Sequence, residues 1–173
     1  MTLRLTIGID PGTTGAIALL RDGALLDAID TPRFKRAGKG EEVNAAEFAR
    51  YIRSARSTWP GAHVHAIVEL VGGMAPNGRK QGGSSMFNFG QADGKLIGSL
   101  ETLGIPITRV TPQVWKRHMK LLGSEKEASR GVAIQHWPAM SEWFALKGKG
   151  TARADAALIA RWGWETGRHA QVQ

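Results

Sequence analysis

The chain of 173 residues contains no cysteine. A disulfide framework and a cysteine-ligated zinc site are therefore both excluded. No apolar run is long enough to span a bilayer, and the N-terminus lacks the layout of a signal peptide. The expected location is the cytoplasm. No internal repeat and no domain-sized linker interrupts the sequence, so one domain spanning residues 1–173 is expected. Acidic residues are scarce: 15 Asp plus Glu stand against 23 Lys plus Arg, a net charge of +8. The isoelectric point is near 10.3. That imbalance points to a polyanionic partner, most simply nucleic acid. A basic surface with no particular partner is the plainer alternative. With 42% hydrophobic and 22% charged residues, the rest of the composition is that of an ordinary soluble globular protein.

Against that background one stretch stands out, Ile7-Gly8-Ile9-Asp10-Pro11-Gly12-Thr13-Thr14-Gly15. Leu3, Leu5, Ile7 and Ile9 alternate on one face of a half-buried strand. Asp10 falls on the other face, with Thr6 and Gly8. An acid at the end of a core strand is costly to bury without a cation or a strong hydrogen-bond partner. Gly12 and Gly15 allow a sharp turn and leave space over Asp10. The alternative role for Asp10 is to cap a tight turn.

Residues Ala16 to Leu20 read as a returning strand, and Arg21-Asp22-Gly23 as a hairpin turn. Thr31 to Glu42, with Arg33, Lys35, Arg36 and Lys39, reads as an exposed basic loop. Asn44 and Glu47 form a capping-box pattern ahead of a helix that ends at Pro60-Gly61. His63 to Val71 is a strand with Glu69 near its end. A long basic, glycine-rich loop follows from Gly72 to Gly83. Ser84 or Ser85 is the expected cap of the next helix, in which Gly90, Gly94 and Gly98 form a stripe suited to close packing. Ile105 to Val110 is a further strand. Thr111-Pro112 opens a helix that Gly123 closes. Ser124 and Glu127 predict a second capping box and a helix to about His136. After the basic loop Lys147-Gly148-Lys149-Gly150, a last helix runs from about Thr151 to Glu165. Strands in a hairpin series, then strands alternating with helices, predict an α/β fold with a mixed central sheet flanked by helices on both faces.

Asp10, Glu69 and Asp155 are the candidate catalytic residues. Asp10 and Glu69 end apolar strands, and Asp155 sits in the apolar helical turn Ala154 to Ala160. Charged residues in such settings are rarely buried unless paired. Mutual repulsion would raise their pKa values unless a divalent cation sits among them. Oxygen ligands without cysteine favour Mg²⁺, with Mn²⁺ able to substitute. Two such metals about 4 Å apart would activate water and stabilise the leaving oxygen of a phosphodiester. In that scheme all three acids are metal ligands, with Asp10 bridging. Individually, Glu69 is also readable as a surface residue at a strand end, and Asp155 as an acid favoured by the helix dipole.

With those residues in view, the chain resembles the RuvC-type Holliday junction resolvases of the RNase H-like superfamily, most closely the bacteriophage forms. The resemblance covers most of the chain. It is carried by Gly8-Ile9-Asp10-Pro11-Gly12, Val68-Glu69, Gln81 to Gly90, Thr111 to Lys116, Glu125-Lys126 and Arg153-Ala154-Asp155-Ala156. It implies an RNase H-like fold and a homodimer that binds four-way DNA and nicks two strands symmetrically with Mg²⁺, in a bacterial cell or a phage-infected host. It assigns catalysis to Asp10, Glu69 and Asp155 and DNA contacts to Lys116 and Lys126. Two departures stand out. The family usually carries a further Asp or His three or four residues before the last acid; here those positions are Ala152 and Thr151. Thr151 shares a helical face with Asp155, but a hydroxyl is a poor metal ligand. After Glu69, Gly72-Gly73-Met74 replaces the aromatic wedge of bacterial forms, which leaves Met74 as the candidate wedge.

The expected DNA surface comprises Lys116, Arg117 and Lys120, then Lys126 and Arg130, with Arg79 and Lys80 on the glycine-rich loop and Lys147, Lys149 and Arg153 before Asp155. Contacts of this kind give salt-dependent, largely sequence-independent affinity. Trp115, Trp137, Trp143, Trp162 and Trp164 are expected in the core or an interface. Two rival functions remain. One is a protein that binds junctions without cutting them. The other is an ATP-binding protein of the actin and sugar-kinase type, whose first phosphate loop resembles residues 8–15. That class needs two lobes, and this length supplies one.

Overall fold

A computed structural model of the chain describes residues 2–38, 40–70 and 82–167. Strands β1 (Arg4–Asp10), β2 (Ala16–Arg21) and β3 (Ala24–Asp30) form an antiparallel meander. The turn between β2 and β3 has Asp22 and Gly23 at φ 47° and 85°, the paired positive angles that match strand twist. Strands β4 (Arg33–Lys35) and β5 (Glu41–Val43) pair as a small separate hairpin. The segment predicted as a loop is thus a hairpin, held by the Arg33–Glu41 and Arg36–Glu42 ion pairs across it.

Helix α1 (Ala45–Thr58) starts where Asn44 accepts from the Glu47 amide at 3.1 Å. Strand β6 (His63–Glu69) then lies parallel to β1, and β7 (Ile107–Val110) parallel to β6. The sheet order is β3-β2-β1-β6-β7. Between β6 and β7 runs α2 (Gly83–Thr102). Helices α3 (Pro112–His118), α4 (Ala128–His136), α5 (Ser141–Ala145) and α6 (Lys149–Glu165) follow, with one 3₁₀ turn at Pro138–Met140.

The alternation of β1 sorts two cores. Leu5, Ile7 and Ile9 pack with Ala66 and Val68 against Phe48 and Ile52 of α1 and Leu96 and Leu100 of α2. On the opposite face Ala16, Ala18, Ile67 and Val110 pack with α6, Trp115 and Phe144. Helices therefore cover both faces, as the sequence predicts. The second face is closed by small residues. A methyl at Gly8 would overlap the Ala156 carbonyl oxygen and lie 2.6 Å from Ala160 N. Only glycine lets the middle of α6 rest directly on β1.

Several predicted boundaries move. The cap of α2 is Gly82, with no side-chain hydrogen bond, so neither Ser84 nor Ser85 caps it. Helix α3 ends at His118, short of Gly123, because Lys120 turns into a positive φ of 58°. Helix α4 begins at Ala128 without a capping box from Ser124. Helix α6 begins at Lys149, inside the predicted basic loop. Methyls at Gly90, Gly94 and Gly98 would meet no described atom within 4 Å, so the glycine stripe is not a packing seam among the described residues. Among the described residues, no helix is long and apolar enough to cross a membrane.

Candidate active site

Asp10 ends β1, and Glu69 ends its parallel neighbour β6. Both face α6, for physical reasons already present in their strands. Asp10 lies two residues beyond Gly8, and Glu69 two beyond Ile67, which packs in the α6-side core. Asp155 comes one residue before Ala156, the helical residue seated on Gly8. The contact at Gly8 thus fixes the height of Asp155 over the sheet. Beyond Asp10 the chain turns sharply: Gly12 takes φ 125°, and the Gly15 amide donates to the Gly12 carbonyl at 3.2 Å. A side chain at Gly15 would overlap the Asp10 carbonyl.

The three acids act on one another electrostatically. Burial pushes the Asp10 carboxyl well above the usual carboxylate range, and the charges of Asp155 and Glu69 push it further. Burial raises Asp155 to about 6; the Ser129 hydroxyl and Lys116 oppose the shift, and Glu69 adds to it. Burial also raises Glu69, against the Trp115 hydrogen bond and Lys116. Two cations counter the shared charge. Lys116 lowers all three carboxylates, and Lys126 lowers Asp10 and Asp155. A mostly buried site that crowds three acids favours a multivalent cation.

Asp10 and Asp155 line one cavity together with Thr14, Lys126, Lys147, Lys149 and Thr151. A second cavity joins Asp155 to Lys116, Lys126 and Ser129. Among the described residues, no three His, Asp or Glu side chains form a ready-made metal cage. The carboxylates are gathered as interacting charges, not as a closed coordination shell. Their chemistry still fits Mg²⁺, which keeps waters and takes phosphate oxygens alongside one or two carboxylates. Thr151 is 5% exposed and lines the cavity with Ala152, so the two positions at which the resemblance calls for a further acid face the site and hold no carboxylate.

The predicted DNA-contacting residues divide into distinct groups. Lys116 and Lys126 reach the acids. Lys147 and Lys149 line the cavity, and Lys149 also pairs with Asp30 at 3.4 Å. Arg153 pairs with the same Asp30 at 2.8 Å. Arg117 and Lys120 are exposed on and just after α3. Arg130 departs from expectation. Its guanidinium donates to the Phe144 carbonyl at 2.6 Å, to the Ala145 carbonyl and to Glu127. It ties α4 to the end of α5, with three of its five N–H donors engaged within the chain. Met74, Arg79 and Lys80 lie outside the described residues.

Sequence reasoning missed two groups that shape the site. Trp115, expected in the core or an interface, is fully buried and donates its indole N–H to Glu69 Oε2 at 2.6 Å. A buried indole needs an acceptor, but nothing local names an acid 46 positions earlier as that acceptor. Ser129, 4% exposed, was read only as part of a helix.

Comparison with protein-family models and with curated proteins finds no match. Solved structures do match. The chain superposes on RuvC of Thermus thermophilus in complex with a Holliday junction substrate with a TM-score of 0.59 at 16% identity. The match covers 96% of both chains. A second Thermus thermophilus RuvC structure matches with a TM-score of 0.54 at 12% identity, covering 94% of this chain and 96% of that one. The fold is thus the RNase H-like fold of those resolvases.

Proposed function

We propose that this protein is a Holliday junction resolvase, a metal-dependent endonuclease that hydrolyses DNA phosphodiesters at four-way junctions. One observation carries the reading: Asp10, Glu69 and Asp155 come from three separate elements, the charges of Asp155 and Glu69 add to the raised proton affinity of Asp10, and Lys116 counters all three while Lys126 counters Asp10 and Asp155. The likeness to a resolvase bound to a junction supports the choice of branched DNA as substrate. The resemblance read from the sequence adds a homodimeric working form, which pairs two such sites for symmetric nicks.

In this reading Asp10, Glu69 and Asp155 hold Mg²⁺, or Mn²⁺ in its place. The bound ion would supply an activated water and charge stabilisation at the phosphorane-like transition state. The chain's own groups do the rest. Trp115 holds the Glu69 carboxylate and favours its charged form against burial. Lys116 and Lys126 neutralise the phosphate that approaches the acids. Lys147, Lys149, Arg117, Lys120 and Arg153, with Arg79 and Lys80, form the basic surround that holds the arms. Met74 remains the proposed wedge at the crossover.

The test compares a synthetic four-way junction with a linear duplex of the same sequence, each with and without Mg²⁺. Paired nicks restricted to the junction and to the metal-containing reaction are expected. Tight junction binding without nicks would instead favour a non-cleaving binder, the reading that the acid-free positions Thr151 and Ala152 keep in play.

A further inference from the structure

A further groove opens beside Asp10, and Lys116 does not line it. Its floor is the turn Pro11 to Thr14, one wall is the β4–β5 hairpin, and the other is the first turns of α2. Arg33 Nη1 donates to the Thr13 carbonyl at 3.0 Å, so the hairpin is fastened to the floor. Lys95 of α2 pairs with Glu42 and donates to the Val43 carbonyl at 3.3 Å, so the hairpin is fastened to the opposite wall as well. The groove is therefore built, with both sides braced.

Its chemistry differs from that of the acidic cavity. The hairpin's acids are neutralised: Glu41 pairs with Arg33 at 3.1 Å, and Glu42 with Arg36 at 3.1 Å and with Lys95. The α2 wall presents Ser85, Asn88, Phe89 and Gln91, which carry no charge. Neither the Asn88 nor the Gln91 amide hydrogen-bonds to another described residue. The Phe89 ring reaches the turn itself, with Cε2 3.9 Å from where a methyl on Gly12 would sit. An aromatic face beside two side-chain amides, uncommitted among the described residues, is a poor phosphate site. It suits a nucleobase, which stacks on the ring and pairs its edge with an amide.

We infer that this groove takes a base of the strand whose phosphate lies at Asp10, with Phe89 as the stacking surface and Asn88 and Gln91 as readers of its edge. The inference rests on the nuclease reading of the adjacent acids. It gives the protein a source of sequence preference at the cut that phosphate contacts alone do not supply. Lys126 lines both this groove and the acidic cavity, so one nucleotide spans the two with its phosphate at the lysine.

The probe is a four-way junction carrying 2-aminopurine at successive positions around the crossover, titrated with protein in EDTA so that cleavage plays no part. Wild type should change the fluorescence at one or two positions. Phe89→Ala should abolish that change and weaken binding about 5- to 100-fold, while Phe89→Trp retains it. Asn88→Ala and Gln91→Ala are exposed or half-exposed changes that leave folding intact. They should flatten the dependence of affinity on the base at that position. Wild-type fluorescence and base dependence in all three alanine variants would overturn the inference. A junction that is bound and cut with the probe silent at every position would overturn it too, and leave the nuclease reading standing. A stacking signal without Mg²⁺-dependent nicks would uphold the groove and sink the nuclease. No binding to any DNA would end both.

Discussion

The indole of Trp115 donates a 2.6 Å hydrogen bond to Glu69, linking a helix that follows β7 to the end of β6. The bond stabilises the charged carboxylate against the burial that raises its pKa.

Trp115→Phe removes the donor and keeps most of the volume. A buried acceptor left unpaired costs roughly 1–3 kcal/mol. Denaturant unfolding should show a loss of that order. Junction cleavage should fall at least tenfold at fixed Mg²⁺ and recover in part at higher Mg²⁺. Unchanged cleavage would mean that the bond serves packing alone.

Gly8 is the point where α6 meets the sheet. Gly8→Ala drives a methyl into the Ala156 carbonyl and against Ala160. Overpacking of this kind typically costs about 1–3 kcal/mol, and contact with backbone belongs at the upper end. Thermal melting should show a large drop. The same change lifts Asp155 off the sheet, so Mg²⁺ affinity read by calorimetry should fall as well. A variant with wild-type stability and metal affinity would refute the close contact.

Asp155 makes stability depend on pH in an unusual direction. Its folded pKa is about 6 against an ordinary 3.8. Between those values the native state holds more protons than the unfolded one, so this group's contribution to stability falls as pH rises through about 4 to 6. Above that window the full penalty is present. In metal-free protein Asp155→Asn should therefore be more stable than wild type at pH 7.5, by about 1–3 kcal/mol. The gap should close near pH 4. Equal stabilities at pH 7.5 would contradict the burial cost. Mg²⁺ competes with that proton, so metal affinity read by calorimetry should rise with pH through about 6.

Arg130 and Lys126 look alike in sequence and differ in structure. Arg130→Ala should destabilise the fold, because three intramolecular donors are lost. It should leave the salt dependence of junction binding unchanged. Lys126→Ala should leave stability unchanged and reduce the salt slope by about 1. Filter binding across a salt series, beside melting curves, separates the two.

Much of this arrangement was legible in the chain. The alternation Leu5, Ile7, Ile9 set the face of Asp10, and the structure keeps Thr6, Gly8 and Asp10 opposite those residues. Asp22-Gly23 and Asn44 predicted their turn and cap through local geometry alone. The features that sequence reading missed depend on distant partners. The β4–β5 hairpin is held by cross-strand and Lys95 ion pairs, which a basic, glycine-containing segment does not announce. The helical start at Lys149 is set by packing: Gly150 sits so close to the Phe144 backbone that a methyl there would overlap it. The spacing of the glycines at 90, 94 and 98 suggests contact, yet no described residue comes within 4 Å of a methyl there. Arg130 was grouped with surface cations because its carbonyl partners belong to α5, outside its own helix.

The most direct measurement is single-turnover cleavage of a labelled four-way junction by wild type, Asp10→Asn, Glu69→Gln and Asp155→Asn, with junction affinity measured in parallel. If the three acids form one Mg²⁺-dependent centre, each variant loses about a thousandfold or more in rate while binding the junction within a few-fold of wild type. Cleavage that persists in any of the three, or wild type that binds the junction and never cuts it with Mg²⁺ or Mn²⁺, would contradict that centre.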